Sequence, residues 1–177
     1  MTAVNNRTGA IAPAALLCFS TVRNEATRLP FFLAHHRSLG VDHFLIVDNG
    51  SDDGTATLLA DQPDVSVWST TASYKAARFG VDWQNLLQTR YAPGHWALTL
   101  DADEALIYPD CETRGLHELT RWLDTQGAES FGAMMLDLYP EGPMAEATYA
   151  PSAPVWETLS QFDAWGYTWE WQSKFRN

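Results

Sequence analysis

Residues 15–55 read ALLCFSTVRNEATRLPFFLAHHRSLGVDHFLIVDNGSDDGT, and this stretch decides the fold. It begins with a short apolar run over residues 15–22, which predicts a strand. Apolar side chains then recur at helical spacing over residues 29–39, with a proline in the first turn and a glycine after the last, so the pattern predicts a helix. Residues 44–47 are apolar again and predict a second strand. The stretch is therefore a strand–helix–strand unit, which favours two parallel strands.

The same alternation continues to residue 138. It predicts further strands at residues 65–69, 96–100 and 131–138, and helices at residues 55–60, 76–91 and 113–127. Strands that alternate with helices predict an α/β fold with a mainly parallel sheet and helices on both faces. We expect residues 1–14 to be a flexible tail and residues 15–138 to form the α/β domain. Residues 139–177, rich in Pro and Trp, are expected to begin an acceptor-side region that is C-terminally truncated.

Composition and charge limit the partners of the chain. Hydrophobic residues make up 46% and charged residues 19% of the 177 residues, which is a globular composition. The net charge of -11 makes nucleic acid and an anionic membrane poor partners and favours a cation. No apolar run approaches the roughly 20 residues of a membrane span, so no transmembrane segment is expected. Cys18 and Cys111 fit no metal-ligand spacing, and we interpret them as reduced thiols of a cytoplasmic protein, which could be peripheral to the inner membrane face.

Three carboxylates follow the strand at residues 96–100: Asp101, Asp103 and Glu104. In an extended segment Asp101 and Asp103 point the same way, and Glu104 points to the opposite side. Two carboxylates that converge at a strand end repel each other unless a cation lies between them, and hard oxygen ligands suit Mg²⁺ or Mn²⁺. The alternative is a solvated strand end with an aspartate that caps a helix.

A second acidic loop follows the strand at residues 44–47. Read as a calcium loop from Asn49, it fails, because Ala60 stands where the closing glutamate belongs. Most of residues 48–55 is therefore interpreted as Asx-type turns that lead into a helix. Asp48 differs, because it ends the strand and faces the carboxyl edge of the sheet, where a carboxylate can accept a hydrogen bond from a nucleobase N–H or a sugar hydroxyl.

The remaining polar and aromatic residues give weaker signals. Four cations are expected near the same sheet edge, where they could offset a diphosphate, although ordinary surface charge is the alternative: Arg23, Arg28, Lys75 and Arg78. The five histidines are expected at the surface or at the edge of the core. The tryptophans at positions 156, 165, 169 and 171 could stack on sugar rings, but core packing is the default expectation.

These motifs together resemble the family-two-like glycosyltransferases of the GT-A fold. The resemblance runs from about residue 16 to residue 107, with the V-R-N-E motif at residues 22–25 and the D-A-D-E motif at residues 101–104 in the order found in a bacterial branch of the family. It implies metal-dependent transfer of a sugar from a nucleotide-diphosphate donor to an acceptor hydroxyl, with inversion. It also implies that residues 15–138 bind the nucleotide sugar, while the acceptor could be a carbohydrate, a lipid-linked molecule or a protein.

The resemblance also implies roles for particular residues. The loop that passes around the nucleotide base would comprise Thr21, Val22, Arg23, Asn24 and Glu25. Asp48 would hydrogen-bond the base, Asp101 would approach the ribose or diphosphate and share the metal site, and Asp103 would ligate Mn²⁺ or Mg²⁺. Lys75 and Arg78 would line the donor pocket. The catalytic base lies well downstream in this family, so Asp163 and Glu157 are the weak candidates in this chain, which could end before the base.

Two other functions compete with this one. A phosphohydrolase of the haloacid-dehalogenase type also places D-x-D after a buried strand and would use Asp101 as its nucleophile. In that class, however, the motif belongs on the first strand, and here it follows several. The third possibility is a module that binds a nucleotide sugar without catalysis.

Overall fold

The structure is a computed structural model, and it describes residues 1–168. The elements in chain order are β1 (Thr2–Asn5), β2 (Leu17–Val22), α1 (Leu29–Leu39), β3 (His43–Asp48), α2 (Thr55–Ala60), β4 (Val65–Ser69), α3 (Val81–Tyr91), β5 (Ala97–Thr99), α4 (Leu116–Thr125) and α5 (Val155–Thr158). Short 3₁₀ turns lie at Thr8–Ala10 and Met144–Glu146. None of the helices in residues 1–168 has the length and apolar character needed to cross a membrane.

The five strands form one mixed sheet in the order β1-β4-β3-β2-β5. The pairs β2–β3, β2–β5 and β3–β4 are parallel, whereas β1 runs antiparallel to β4. The prediction of an α/β fold is confirmed, and the sheet is mixed because of its edge strand. Since four strands share one direction, their carboxyl ends meet at one edge. The loops that follow β2, β3, β4 and β5 are therefore neighbours.

Helices pack on both faces of the sheet because alternate residues of β2 point to opposite sides. Leu16, Cys18 and Val22 face a core shared with α1 and α4. Leu17 and Phe19 face a second core, which includes buried residues of α3. Each central strand is buried on both faces, which explains why its sequence is a continuous apolar run rather than an alternating one.

The N-terminal residues differ from the flexible tail that we predict for residues 1–14. Residues 2–5 form β1, in which Thr2 is opposite Ser69 and Ala3 is opposite Trp68. The backbone N–H of Arg7 also donates to Ser66 Oγ at 2.9 Å. The pairing covers the edge of β4, whose backbone groups would otherwise be unpaired. A short, mostly exposed strand lacks the apolar periodicity on which the prediction depends.

The prediction of a strand at residues 131–138 is wrong. Within residues 1–168 this segment has no ladder with another strand, and the only bridge nearby joins Tyr139 to Gln161. Its apolar side chains stay exposed, at 54% for Phe131 and 67% for Met135. Apolar composition favours a strand only where a neighbouring edge accepts the backbone hydrogen bonds.

The helix predicted for residues 76–91 begins five residues later, at Val81. Arg78, Phe79 and Gly80 have φ angles of 49°, 58° and 82°, in the left-handed region. Such a backbone cannot continue a right-handed helix. A loop that lies beside the carboxyl edge of the sheet therefore replaces the first turn of the predicted helix.

Candidate functional site

The loops after β2 and β3 are joined by hydrogen bonds between backbone and side chains. The N–H of Asn24 donates to Ser51 Oγ at 2.9 Å, and the N–H of Asp52 donates to Asn24 Oδ1 at 2.9 Å. The N–H of Glu25 donates to Thr55 Oγ1 at 2.8 Å. Asn24, with a φ of 58°, occupies the left-handed conformation that this exchange requires. The V-R-N-E segment is therefore held against the second acidic loop, as neighbouring loops at one sheet edge should be.

Asp53 shows what most of the second acidic loop does. Its carboxylate accepts hydrogen bonds from the N–H and the hydroxyl of Thr55 and from the N–H of Ala26. Desolvation opposes ionisation of Asp53, but these hydrogen bonds lower its pKa below the ordinary value. The interpretation of this loop as Asx-type turns is confirmed.

Asp48 ends β3 beside Val22, the last residue of β2, and only 5% of its surface is exposed. Its Oδ1 accepts hydrogen bonds from the N–H and the hydroxyl of Ser51. Its Oδ2 has no hydrogen-bond partner within residues 1–168. One oxygen therefore holds the turn, and the other accepts no hydrogen bond from the described residues. The predicted contact with a nucleobase is compatible with this arrangement and stays a prediction.

A cleft of about 460 Å³ opens at the carboxyl ends of β2, β3 and β4. We call it the strand-end cleft, and its lining residues are Arg23, Asn49, Gly50, Thr71, Ala72, Ser73, Tyr74 and Lys75. The Asn49 amide donates to Thr70 O at 3.0 Å and to Ala72 O at 3.1 Å, which fixes the segment after β4 as one wall. The structure thus brings two of the predicted cations, Arg23 and Lys75, to one cleft.

The other two predicted cations are paired with carboxylates. Arg78 lies outside the lining of the strand-end cleft, and its Nε donates to Asp82 at 2.7 Å. Arg28 donates to Glu25 at 2.8 Å. The hydrogen bond to Glu25 raises the pKa of Arg28, desolvation opposes that rise, and the charge of Asp103 adds to it.

Residues 101–104 form a tight turn, which we call the acidic turn. The N–H of Glu104 donates to Asp101 O at 3.0 Å, and Glu104 Oε2 accepts the N–H of Asp101 at 2.8 Å. Ala102 is buried in the core, whereas Asp101 and Asp103 are exposed. The assumption of an extended segment with Glu104 on the opposite side is therefore wrong. The side chain of Glu104 closes the turn, which a strand periodicity cannot show.

The carboxylates of the acidic turn repel one another. Partial desolvation raises the pKa of Asp101, although part of its surface is exposed, and the charge of Asp103 raises it further. Burial also raises the pKa of Glu104, and the charges of Asp101 and Asp103 add to that rise. A cation would relieve this repulsion. Residues 1–168 hold no group of three or more His, Cys, Asp or Glu that could enclose a metal ion. A cation here would therefore need water and ligand oxygens as well, which is the usual coordination of Mg²⁺.

Tyr74 is a site residue that we did not predict. It lines the strand-end cleft, and the charges of Asp101 and Asp103 add to desolvation in raising its pKa. The Tyr74 ring packs closely against the backbone of Gly80. A Cβ on Gly80, whose φ is 82°, would lie 3.0 Å from both Tyr74 Cε2 and Thr21 Oγ1, so glycine suits this position. Tyr74 is thus a residue of the cleft lining whose ionisation the charges of the acidic turn oppose. Its signal in the sequence is an aromatic residue within a polar segment directly after a strand.

The two candidate bases lie in the C-terminal segment. Glu157 is exposed on α5, next to Trp156, whose ring packs edge-on against Phe31 of α1 at 5.4 Å. Asp163 is exposed and accepts a hydrogen bond from the Tyr139 hydroxyl at 3.0 Å. Neither lines the strand-end cleft. Their role as base stays a prediction.

The expectations for the histidines and tryptophans need corrections. His36 is fully buried and His43 is 3% exposed, so both belong to the core rather than to its edge. Burial lowers the pKa of His36 to about 4. Trp165 is 88% exposed, contrary to the expected core packing. The tryptophans at positions 169 and 171 lie outside the described residues.

The chain matches none of the protein-family models with which it was compared, and comparison with curated proteins gives no match either.

Proposed function

We propose that this chain is a glycosyltransferase of the GT-A type, which uses Mn²⁺ or Mg²⁺ and a nucleotide-diphosphate sugar. One observation carries the proposal: a cleft lined by Arg23 and Lys75 lies at the same sheet edge as a turn of mutually repelling carboxylates. A ligand that is anionic and also binds a divalent cation suits both features. A nucleoside diphosphate has this chemistry, because its phosphate oxygens complete the coordination of a cation held by one or two carboxylates.

The polar groups along this edge suggest an orientation for the donor. The base would enter between the loops after β2 and β3, where Oδ2 of Asp48 can accept a hydrogen bond. The diphosphate would lie along Arg23 and Lys75, and Asp101 and Asp103 would hold the cation. Tyr74 would lie where the phosphates pass from the cleft to the acidic turn. In this orientation the sugar extends beyond the acidic turn.

The chain's own groups would then bind and orient the donor for displacement at the anomeric carbon. Asp101 and Asp103 would hold the cation, which would supply Lewis-acid neutralisation of the charge on the departing diphosphate. A carboxylate base takes the proton of the acceptor hydroxyl, and direct displacement inverts the anomeric centre. Asp163 and Glu157 are the residues to test for the role of base.

Thermal unfolding with a panel of ligands tests the proposal. ADP, GDP and UDP, and nucleotide sugars of each, are added with and without Mn²⁺. A ligand that binds only the folded state at 100 times its Kd stabilises the chain by about 2.7 kcal/mol. We expect one nucleoside diphosphate to stabilise the chain in a Mn²⁺-dependent way. The absence of Mn²⁺-dependent stabilisation across the panel would contradict the proposal.

Turnover separates a transferase from the other two functions. Release of nucleoside diphosphate in the presence of an acceptor supports transfer, whereas binding without turnover supports a non-catalytic module. Phosphate release with a phosphorylated Asp101 trapped during turnover would support the phosphohydrolase. Asp163→Asn and Glu157→Gln, compared with the parent chain, then show which carboxylate turnover requires.

A further inference from the structure

Both backbone groups of Leu106, two residues beyond the acidic turn, are bound by adjacent histidine side chains of α1. His35 Nε2 lies 2.9 Å from the carbonyl oxygen of Leu106. The N–H of Leu106 donates to His36 Nε2 at 3.3 Å. The contacts span about seventy residues of sequence, so they are tertiary contacts rather than part of a local turn. The exit of the acidic turn is therefore attached to helix α1.

The partner atoms determine the tautomer of each histidine. His36 Nδ1 lies 2.8 Å from the carbonyl oxygen of Phe32, which can only accept, so Nδ1 carries the proton and Nε2 can accept from Leu106. His35 faces the carbonyl of Leu106, so its Nε2 carries the proton. The two neighbours thus act as one acceptor and one donor toward the same residue. Burial, which lowers the pKa of His36 to about 4, keeps that ring neutral near pH 7.

The acidic turn is anchored at three points. Before the turn, the N–H of Leu100 donates to Phe19 O at 3.1 Å, which continues the sheet. Within it, the methyl group of Ala102 is buried in the core. After it, Leu106 is held by His35 and His36. Backbone pairing and burial supply the first two anchors, whereas the third depends on side chains alone.

We propose that His35 and His36 are positioning residues, which fix the acidic turn in the orientation that binds the divalent cation. This inference rests on the proposed function, because it takes Asp101 and Asp103 as the cation ligands. Partners that orient metal ligands without touching the metal change metal affinity by 10- to 100-fold when they are replaced. The His35 ring also stacks on the Phe31 ring, with 5.4 Å between the ring centroids, and its centroid lies 5.8 Å from that of Trp156. The same face of α1 therefore contacts both the segment after the acidic turn and α5.

The test compares two buried histidines. His36→Leu removes the acceptor for the N–H of Leu106. His43→Leu is the matched control, because His43 is 3% exposed, bonds Ser66 Oγ at 2.9 Å and begins β3 at the opposite edge of the sheet. Mn²⁺ is titrated calorimetrically into each variant, alone and with ADP, GDP or UDP, whichever stabilises the parent. We expect both variants to lose thermal stability, but only His36→Leu to bind Mn²⁺ about ten-fold more weakly.

A second pair of variants serves if His36→Leu fails to fold. His35→Leu should weaken Mn²⁺ binding. His35→Gln should restore it, because its amide can still donate to Leu106 O. Unchanged Mn²⁺ affinity in His36→Leu or His35→Leu, or an equal loss in His43→Leu, overturns the inference while the proposed function stands. A parent chain that binds no Mn²⁺ under either condition overturns the proposed function and this inference with it.

Discussion

Two acidic loops follow the parallel strands β3 and β5, which lie on either side of β2, and they differ in the hydrogen bonds that their carboxylates accept. In residues 48–55, Asp48 and Asp53 accept hydrogen bonds from neighbouring N–H and hydroxyl groups, and the pKa of Asp53 is lowered. In the acidic turn, the pKa values of Asp101 and Glu104 are raised by burial and mutual repulsion. In the first loop Asp48 and Asp53 hold the turns, whereas in the acidic turn only Glu104 does so, and the side chains of Asp101 and Asp103 accept no hydrogen bond from residues 1–168. The number of carboxylates in a loop therefore does not predict their role, whereas their hydrogen-bond partners distinguish the side chains that hold a turn from those that do not.

The largest expected effect is the loss of cation binding from the acidic turn. Asp103→Asn removes one of its two exposed aspartates, so we expect Mn²⁺-dependent stabilisation by a nucleoside diphosphate to disappear, a loss of about 2.7 kcal/mol at 100 times the parent Kd. Asp52→Asn makes the same change in the other loop, where the carboxylate is exposed. It should leave the stabilisation intact. Thermal unfolding with and without Mn²⁺ measures both, and an equal response of the two variants would remove the difference between the loops.

The second effect concerns Oδ2 of Asp48, which accepts no hydrogen bond from residues 1–168. If Asp48 contacts the donor base as proposed, Asp48→Ala removes a charge-assisted hydrogen bond worth roughly 1.5–3 kcal/mol, so donor affinity should fall about ten- to a hundred-fold. Mn²⁺ affinity should change little. The substitution also frees Ser51, so Ser51→Ala is the control that loosens the turn but keeps the carboxylate. If calorimetry gives the same donor affinity for Asp48→Ala and Ser51→Ala, Asp48 is only a turn residue.

The third effect is on stability alone. Asp53→Ala removes the acceptor for the N–H groups of Ala26 and Thr55 and separates two loops that it joins. Loss of these hydrogen bonds costs about 1 kcal/mol, because Asp53 is exposed and solvent screens its charge. Because the folded-state pKa of Asp53 is lowered, its contribution is present above the ordinary carboxyl pKa and is lost as the pH falls through the folded value. Urea denaturation at pH 7 should show a lower free energy of unfolding for the variant than for the parent. This difference in free energy should become smaller in acid. A constant difference down to low pH would contradict the assignment.

The elements that build this edge were predictable because their signals are local. Apolar runs and helical spacing over residues 15–69 give β2, α1, β3, α2 and β4, and parallel strands bring the following loops together. The structure confirms the strand-end position of Asp48 and the Asx-type turns after it.

The missed features depend on residues far apart in sequence. His36 stands at helical spacing with the buried Phe32 and Leu39, so its burial has a local signal, whereas its contact with Leu106 across 70 positions has none. β1 forms because the edge of β4 accepts its backbone hydrogen bonds. Residues 131–138 have the composition of a strand, but no strand among the described residues pairs with them. The shape of the acidic turn depends on the Glu104 side chain, which strand periodicity does not take into account.

The smallest expected effect is also the most direct test of repulsion in the acidic turn. The pKa values of Asp101 and Glu104 are raised in the folded chain. At any pH between the ordinary and the raised pKa, the folded chain therefore binds more protons than the unfolded chain. Their contribution to stability therefore falls as the pH rises through that window, and the penalty is fully present at pH 7. Asp103→Asn should relieve part of this electrostatic penalty, so the metal-free variant should be more stable than the parent at pH 7.

The gain in the free energy of unfolding should be small. Solvent screens these partly exposed groups, so the gain should be a few tenths of a kcal/mol and no more than about 1 kcal/mol. Urea denaturation in a chelator at pH 7 and at pH 4 measures it, and Asp52→Asn should show no comparable gain. A metal-free Asp103→Asn chain that is less stable than the parent at pH 7 would mean that Asp103 is a structural residue and that the two acidic loops are alike.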